Sequence, residues 1–245
     1  MKSKIAEAIK LPNHPVAVIR TDDKPEGALM FKEGVWGCVV AMINAASKGK
    51  TVALSDATVA CQGGHAGCGF GPYREGYIER FLSDGEGLKV NGVQVEGERY
   101  KASAELALNF MRWQVVPEGQ KEFVVMKPLS EVTEADSPEA VIFLVNADRL
   151  SGLVTLANFD TENQDNVKLY FGAGCGQAIG NVLDASVRGS RECFIGMTDP
   201  SARKVLPADI MSFSIPFKRF LEMEDNADKC FFHTKTWETI CKRLD

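Results

Sequence analysis

Two stretches of this chain follow one plan, and nothing else in the sequence restricts the fold as much. "WGCVVAMINAASKGKTVALSD" and "AGCGQAIGNVLDASVRGSRECFIGMTD" both enter on Gly-Cys and carry an Ala three residues after the cysteine. Both then end a helical run at a basic residue followed by Gly, and close in a strand that finishes on Asp. A glycine turn, a run with apolar residues at helical spacing and a β-branched run of strand length together read as part of a βαβ unit. Met twice, the pattern predicts an α/β fold of two similar βαβ-containing halves with mixed sheets, an internal duplication about a pseudo-two-fold axis.

The remaining elements fit that frame. "PVAVIRTD" reads as a buried strand after a short N-terminal amphipathic helix stopped by Pro12. A helix is expected from about Cys38 to Ser47, closed by Gly49, and another at "SAELALNFMRWQ" with Ser103 as N-cap. "EFVVMKPL" and Val141 to Asn146 read as strands, the second leading into a helix from about Ala147 to Ala157. "LKVNGVQV" alternates as a strand does. With no low-complexity linker, residues 1–245 are expected to form a single compact body. Its first half spans about 14–125, its second about 126–223, and a tail with a helix occupies 224–245.

Composition narrows the function classes. A formal net charge of −5 without a Lys/Arg cluster argues against nucleic acid, whose phosphates are held by clustered cations. No apolar run is long enough to span a bilayer, and the N-terminal residues lack the apolar stretch of a signal peptide. The expectation is a cytoplasmic protein, with neither nucleic acid nor membrane as partner. At 245 residues the chain can bury a core without disulfide staples, so its seven cysteines read as thiols, metal ligands or redox groups.

The cysteines carry the functional expectation. Cys38 and Cys175 stand where helices start, close to unpaired amides that favour thiolate. The stretch "ACQGGHAGCGFGPYREG" adds Cys61 and Cys68 in what reads as a glycine-rich loop. Cys38, Cys61, Cys68 and Cys175 are therefore a candidate metal set, suited to an iron–sulfur cluster or to zinc, with Cys193 as an alternative fourth ligand. The absence of any C-x-x-C pair limits the specificity of that reading. His65 reads either as a ligand or proton carrier, or as a solvated loop residue. Cys230 and Cys241 read as packing residues.

Gly63, Gly64, Gly174 and Gly176 support a different reading, a cofactor or small-molecule cradle at glycine-rich helix starts. "KLYFGAGCGQAIG", with Asp199 ending the next strand, resembles a dinucleotide-binding turn except that Gln177 stands where a third small residue belongs. No Walker loop or hydrolase motif occurs, although a cysteine nucleophile such as Cys61 with His65 stays open.

Taken together, "WGCVVAMINAASKGKTVALSDATVACQGG", "MKPLSEVTEADSPEAVIFLVNADRLSGLVTLANF" and "GAGCGQAIGNVLDAS" resemble a prokaryotic family of unknown function labelled ArCR, over about Val16 to Met223. The family's recurring features fall here on Cys38, on Cys61 with Gly63 and Gly64, on Pro128 with Leu129, and on Cys175. The resemblance implies that these three cysteines share a site, leaves Cys68 outside it, and implies no reaction. The functional expectation is metal or cluster binding in a redox or small-molecule role, with a small-molecule ligand or an electron-transfer partner. A non-catalytic small-molecule or nucleotide module, or a metal-free cysteine-dependent enzyme, stands as the alternative.

Overall fold

A computed structural model describes residues 1–90 and 92–244. In chain order the elements are α1 (Lys4–Ala8), β1 (Val16–Thr21), α2 (Val39–Ser47), β2 (Val52–Leu54), α3 (Gln62–Gly67), α4 (Ile78–Ser83), β3 (Leu88–Val90) and β4 (Val93–Val95). There follow α5 (Ala104–Trp113), β5 (Phe123–Pro128), β6 (Ala140–Val145), α6 (Ala147–Ala157) and β7 (Val167–Lys168). A π turn (Gly176–Gly180) then runs into α7 (Asn181–Val187), followed by β8 (Cys193–Gly196), α8 (Pro200–Arg203), β9 (Met211–Pro216), α9 (Phe217–Asn226) and α10 (Lys235–Cys241).

Seven strands form one sheet in the order β2-β5-β1-β6-β9-β8-β7, mixed because β7 and β8 pair in parallel while the other neighbours are antiparallel. Of the two expected strand–helix–strand units, β7–α7–β8 pairs its strands directly in parallel, whereas β1–α2–β2 is split by an inserted strand. β1 and β2, joined through α2, lie on either side of β5 and antiparallel to it, so they run in the same direction without touching. β6 and β8 flank β9 in the same way. β5 thus inserts between β1 and β2, and β9 between β6 and β8, and the two sets meet where β1 pairs with β6. The correspondence ends there: α6 and β7 have no counterpart in the first half, and strand order alone does not make the halves copies of one another.

The two sheet faces are covered differently. α2 buries Val39, Val40, Ile43 and Ala46 against β1, β2 and β5, while Ile179, Val182 and Leu183 of the second helix pack over β6 and β8 in the same core. Each such aliphatic side chain contributes about 1.5–3 kcal/mol on burial. On the opposite face α1, α6, α9 and α10 enclose Phe143, Leu153, Phe213, Phe220 and Trp237. α4, α5 and the β3–β4 hairpin form a separate small core, and the 96–101 segment is bonded back to Phe81 and Leu82 of α4 and reaches the start of α8 through Tyr100. Among the described residues no helix is long and apolar enough to cross a membrane.

Candidate functional site

Three chain segments turn into helices at one place. Cys38 is the N-cap of α2, Cys61 the N-cap of α3, and Cys175 directly precedes the π turn that leads into α7. The stretch expected to be a glycine loop is in fact helical from Gln62 to Gly67. Neighbouring backbone explains why glycine is needed there. A Cβ on Gly67 would lie 2.7 Å from the Gly176 nitrogen and 2.9 Å from the Cys175 carbonyl carbon, and one on Gly180 would lie 3.1 Å from the Gly67 oxygen. The two helices therefore touch backbone to backbone, an approach that only residues without side chains permit.

The same accounting settles what the other candidate glycines face. A Cβ on Gly63 would meet Ala173 at 3.0 Å, on Gly64 Val39 at 2.7 Å, and on Gly174 Ala202 at 2.7 Å. These positions are filled by protein. Only Gly176 has room, with Gln114 Oε1 3.6 Å from its added Cβ. The Gly174 amide donates to Asp199 Oδ2 at 3.1 Å, so a carboxylate already sits where a phosphate would be held. Asp199 is the N-cap of α8 and its Oδ1 accepts from the Ser201 amide, the Ser201 hydroxyl and Tyr100 Oη at 3.0, 2.9 and 3.2 Å. Gln177 is buried and braces the turn, donating to Tyr170 O at 2.7 Å and accepting from the Thr198 amide at 3.0 Å. The dinucleotide resemblance of this turn thus has no open phosphate position behind it.

Electrostatics single out the junction, because each shifted acid in it moves in the same direction. Burial pushes the Cys61 thiol up to about 11, opposed by the Gly64 and Gly63 amides and reinforced by the charges of Cys38 and Glu98. Burial likewise raises Cys38, against the pull of the Ala41 and Val40 amides. Cys68 rises through burial and the charge of Cys61. Cys175 is raised well above the ordinary thiol range by burial and then by Cys61, Cys68, Cys38 and Asp199. Tyr73 rises for the same reasons, with Cys175, Cys61, Asp199 and Glu98 as its neighbours. Glu98 is pushed up to about 6, first by burial and then by Asp199. Helix-start amides therefore soften the desolvation of the thiols without reversing it, contrary to the expected shift toward thiolate.

The four candidate ligands Cys38, Cys61, Cys68 and Cys175 are thus electrostatic neighbours, and Cys38 and Cys61 are the half-buried pair among them. Cys193 is not of their company. It packs in the core on the far face of the sheet with Cys230, which removes it as a fourth ligand. His65 lies on α3 with Nε2 2.6 Å from Asp56 Oδ1, a partnered residue and not a solvated one. Among the described residues, no three His, Cys, Asp or Glu side chains stand close enough to hold a metal ion.

Sequence reasoning missed Tyr73 and Glu98, which carry no local motif. Asp199, read from sequence as the acid ending a strand of a dinucleotide-binding turn, lies past the end of β8 and is instead the N-cap of α8, bonded to the Gly174 amide.

The model of a domain-of-unknown-function family described as uncharacterised ArCR matches residues 4–226. The chain belongs to that family. No curated protein and no solved structure matches it. Cys38, Cys61, Cys175, Glu98 and Asp199 lie within the matched region, whereas α10 lies beyond it.

Proposed function

We propose that the junction is a thiol-dependent site for a small electrophilic molecule, with Cys61 as the attacking sulfur and Glu98 as the group that accepts its proton. What carries the reading is the convergence of Cys38, Cys61 and Cys175 with Glu98, Asp199 and Tyr73 where three helical segments begin. A thiol raised to about 11 is protonated at neutral pH and needs a base to react. A carboxyl at about 6 is mostly ionised there, yet basic enough to take a proton as substrate closes the site. Phosphate and nucleotide ligands are disfavoured by the Asp199 carboxylate on the Gly174 amide and by the acidity of the surroundings.

Iodoacetamide labelling followed residue by residue tests the proposal, because Glu98→Gln has opposite effects under the two roles. If Glu98 contributes only charge, its loss lowers the Cys61 pKa and labelling speeds up. As proton acceptor, its loss slows Cys61 labelling at pH 7–8 and abolishes the inflection near pH 6. Slow, uniform labelling of all seven thiols in the native protein would sink the proposal.

A soft metal ion or iron–sulfur cluster on Cys38, Cys61 and Cys175 is the second reading, favoured by the fact that Cys175 senses three other thiols together. It requires these side chains to turn toward a common point, since among the described residues no three ligands are gathered as they stand. Iron, zinc and sulfide content of anaerobically purified protein separates the two: stoichiometric metal lost in the three Cys→Ser variants selects the second.

A further inference from the structure

Beside Cys61 lies a cavity of about 290 Å³ that the thiol chemistry leaves unused. Its wall includes Asp56, Ala60, Gln62, His65, Arg74 and Tyr77 and not Cys61 itself, whose thiol lies behind the wall as an electrostatic neighbour of Tyr77. The cavity is held in shape by its own contacts. The Gln62 side-chain oxygen accepts from the Arg74 amide at 2.9 Å, which fastens the 72–77 segment to α3, and His65 is fixed against Asp56 at 2.6 Å. Charges in the wall are not all spent. Asp56 is partnered by His65, whereas the Arg74 guanidinium forms no ion pair among the described residues. One free guanidinium beside an already paired acid, in a space sized for a small metabolite, is the arrangement that binds a carboxylate, which Arg holds with two parallel hydrogen bonds.

We infer that this cavity is the recognition subsite for a small carboxylate-bearing molecule, held by Arg74 so that its electrophilic carbon is presented to Cys61. The inference rests on the thiol reading above and names the class of substrate for it: an organic acid with an electrophilic carbon near its carboxylate.

Iodoacetate and iodoacetamide form a matched pair of probes, since they differ only in the carboxylate. In each case the Cys61 sulfur forms a C–S bond to the methylene carbon as the C–I bond breaks, iodide leaves with the bonding pair, and the thiol proton passes to a base. An ordinary thiol in a protein of net charge −5 repels the anionic reagent, so iodoacetate is expected to be the slower one. If Arg74 holds the carboxylate, the order reverses at Cys61 alone. Arg74→Gln then lowers the iodoacetate rate about tenfold, as loss of a charge-assisted hydrogen bond implies, and leaves the iodoacetamide rate unchanged. Arg74 is exposed, so the variant is expected to fold normally. Iodoacetamide labelling of Cys61 without any preference for iodoacetate, or a preference that survives Arg74→Gln, overturns the subsite but leaves the thiol reading standing. Failure of both reagents at Cys61 overturns the thiol reading itself.

Discussion

Glu98 shows how much a single residue at the junction reports. Its carboxyl holds a proton more tightly in the folded chain than in the unfolded one, because burial and the Asp199 charge both oppose ionisation. That preference stabilises the fold fully below the ordinary carboxyl value of 4.5 and is lost as pH rises through about 6. Glutamine has no such dependence. Denaturant titrations of Glu98→Gln and the native protein are therefore expected to diverge between pH 4 and pH 7, the variant gaining about 1 kcal/mol relative to the native chain once partial exposure is allowed for. Parallel stability curves across that range would show that Glu98 is solvated, and would remove it from the junction. Nothing in "EGERY" marks this residue out, since its shift comes from burial in the assembled fold and from Asp199, about a hundred positions away. Cys38 and Cys175 were legible because helix-start cysteines have a local signature, and Cys61 because a cysteine beside paired glycines does not read as core, although its helix start was not visible; their elevated pKa values were not legible, because desolvation is a property of the assembled core.

Among elements, α3 is where local and tertiary preferences disagree. Glycine in a helix interior costs about 1 kcal/mol relative to Ala, so "QGGHAG" reads as a loop. It is nevertheless a helix because Gly64 and Gly67 bring it against Val39 and against the Cys175–Gly176 backbone more closely than any side chain allows. Gly67→Ala should thus fail to show the usual gain from replacing glycine in a helix. The new Cβ would meet backbone atoms at 2.7 and 2.9 Å, which cannot rotate aside, and a loss of about 2 kcal/mol in chemical denaturation is expected. If the variant proves as stable as the native chain, α3 does not sit against the π turn as described. By contrast α2, α5, α6 and β1 follow their sequence periodicity closely, because each packs one stripe or face on a single neighbouring layer. Strand order was not legible: insertion of β5 between β1 and β2, and of β9 between β6 and β8, depends on pairings distant in sequence that leave no local pattern.

Across the whole molecule, the sheet separates chemistry from support. The thiols, Glu98, Asp199 and the Arg74 cavity gather around α2, α3 and the π turn, while the opposite face is closed by both ends of the chain. Trp237 of α10 donates from Nε1 to Ala8 O at 2.9 Å and packs the far edge of its six-membered ring against Gly152 of α6, where a Cβ would come within 2.5 Å of the indole. Arg149, buried beneath it, donates to the Lys10 carbonyl at 2.8 Å and to the Leu244 carbonyl at 2.9 Å. α10 lies outside the region that the ArCR family model matches, yet it completes the core under β6 and β9. Trp237→Ala should accordingly cost about 3–5 kcal/mol and lower Tm by about 10 °C in a calorimetric scan. The rate and pH profile of Cys61 labelling, measured well below the new Tm, should be unchanged, because the sheet stands between the two faces. A variant that melts near the native temperature would mean that α10 is an appendage. One that loses stability and Cys61 selectivity together would mean that the two faces are coupled through the sheet, and that the supporting face sets the geometry of the thiols.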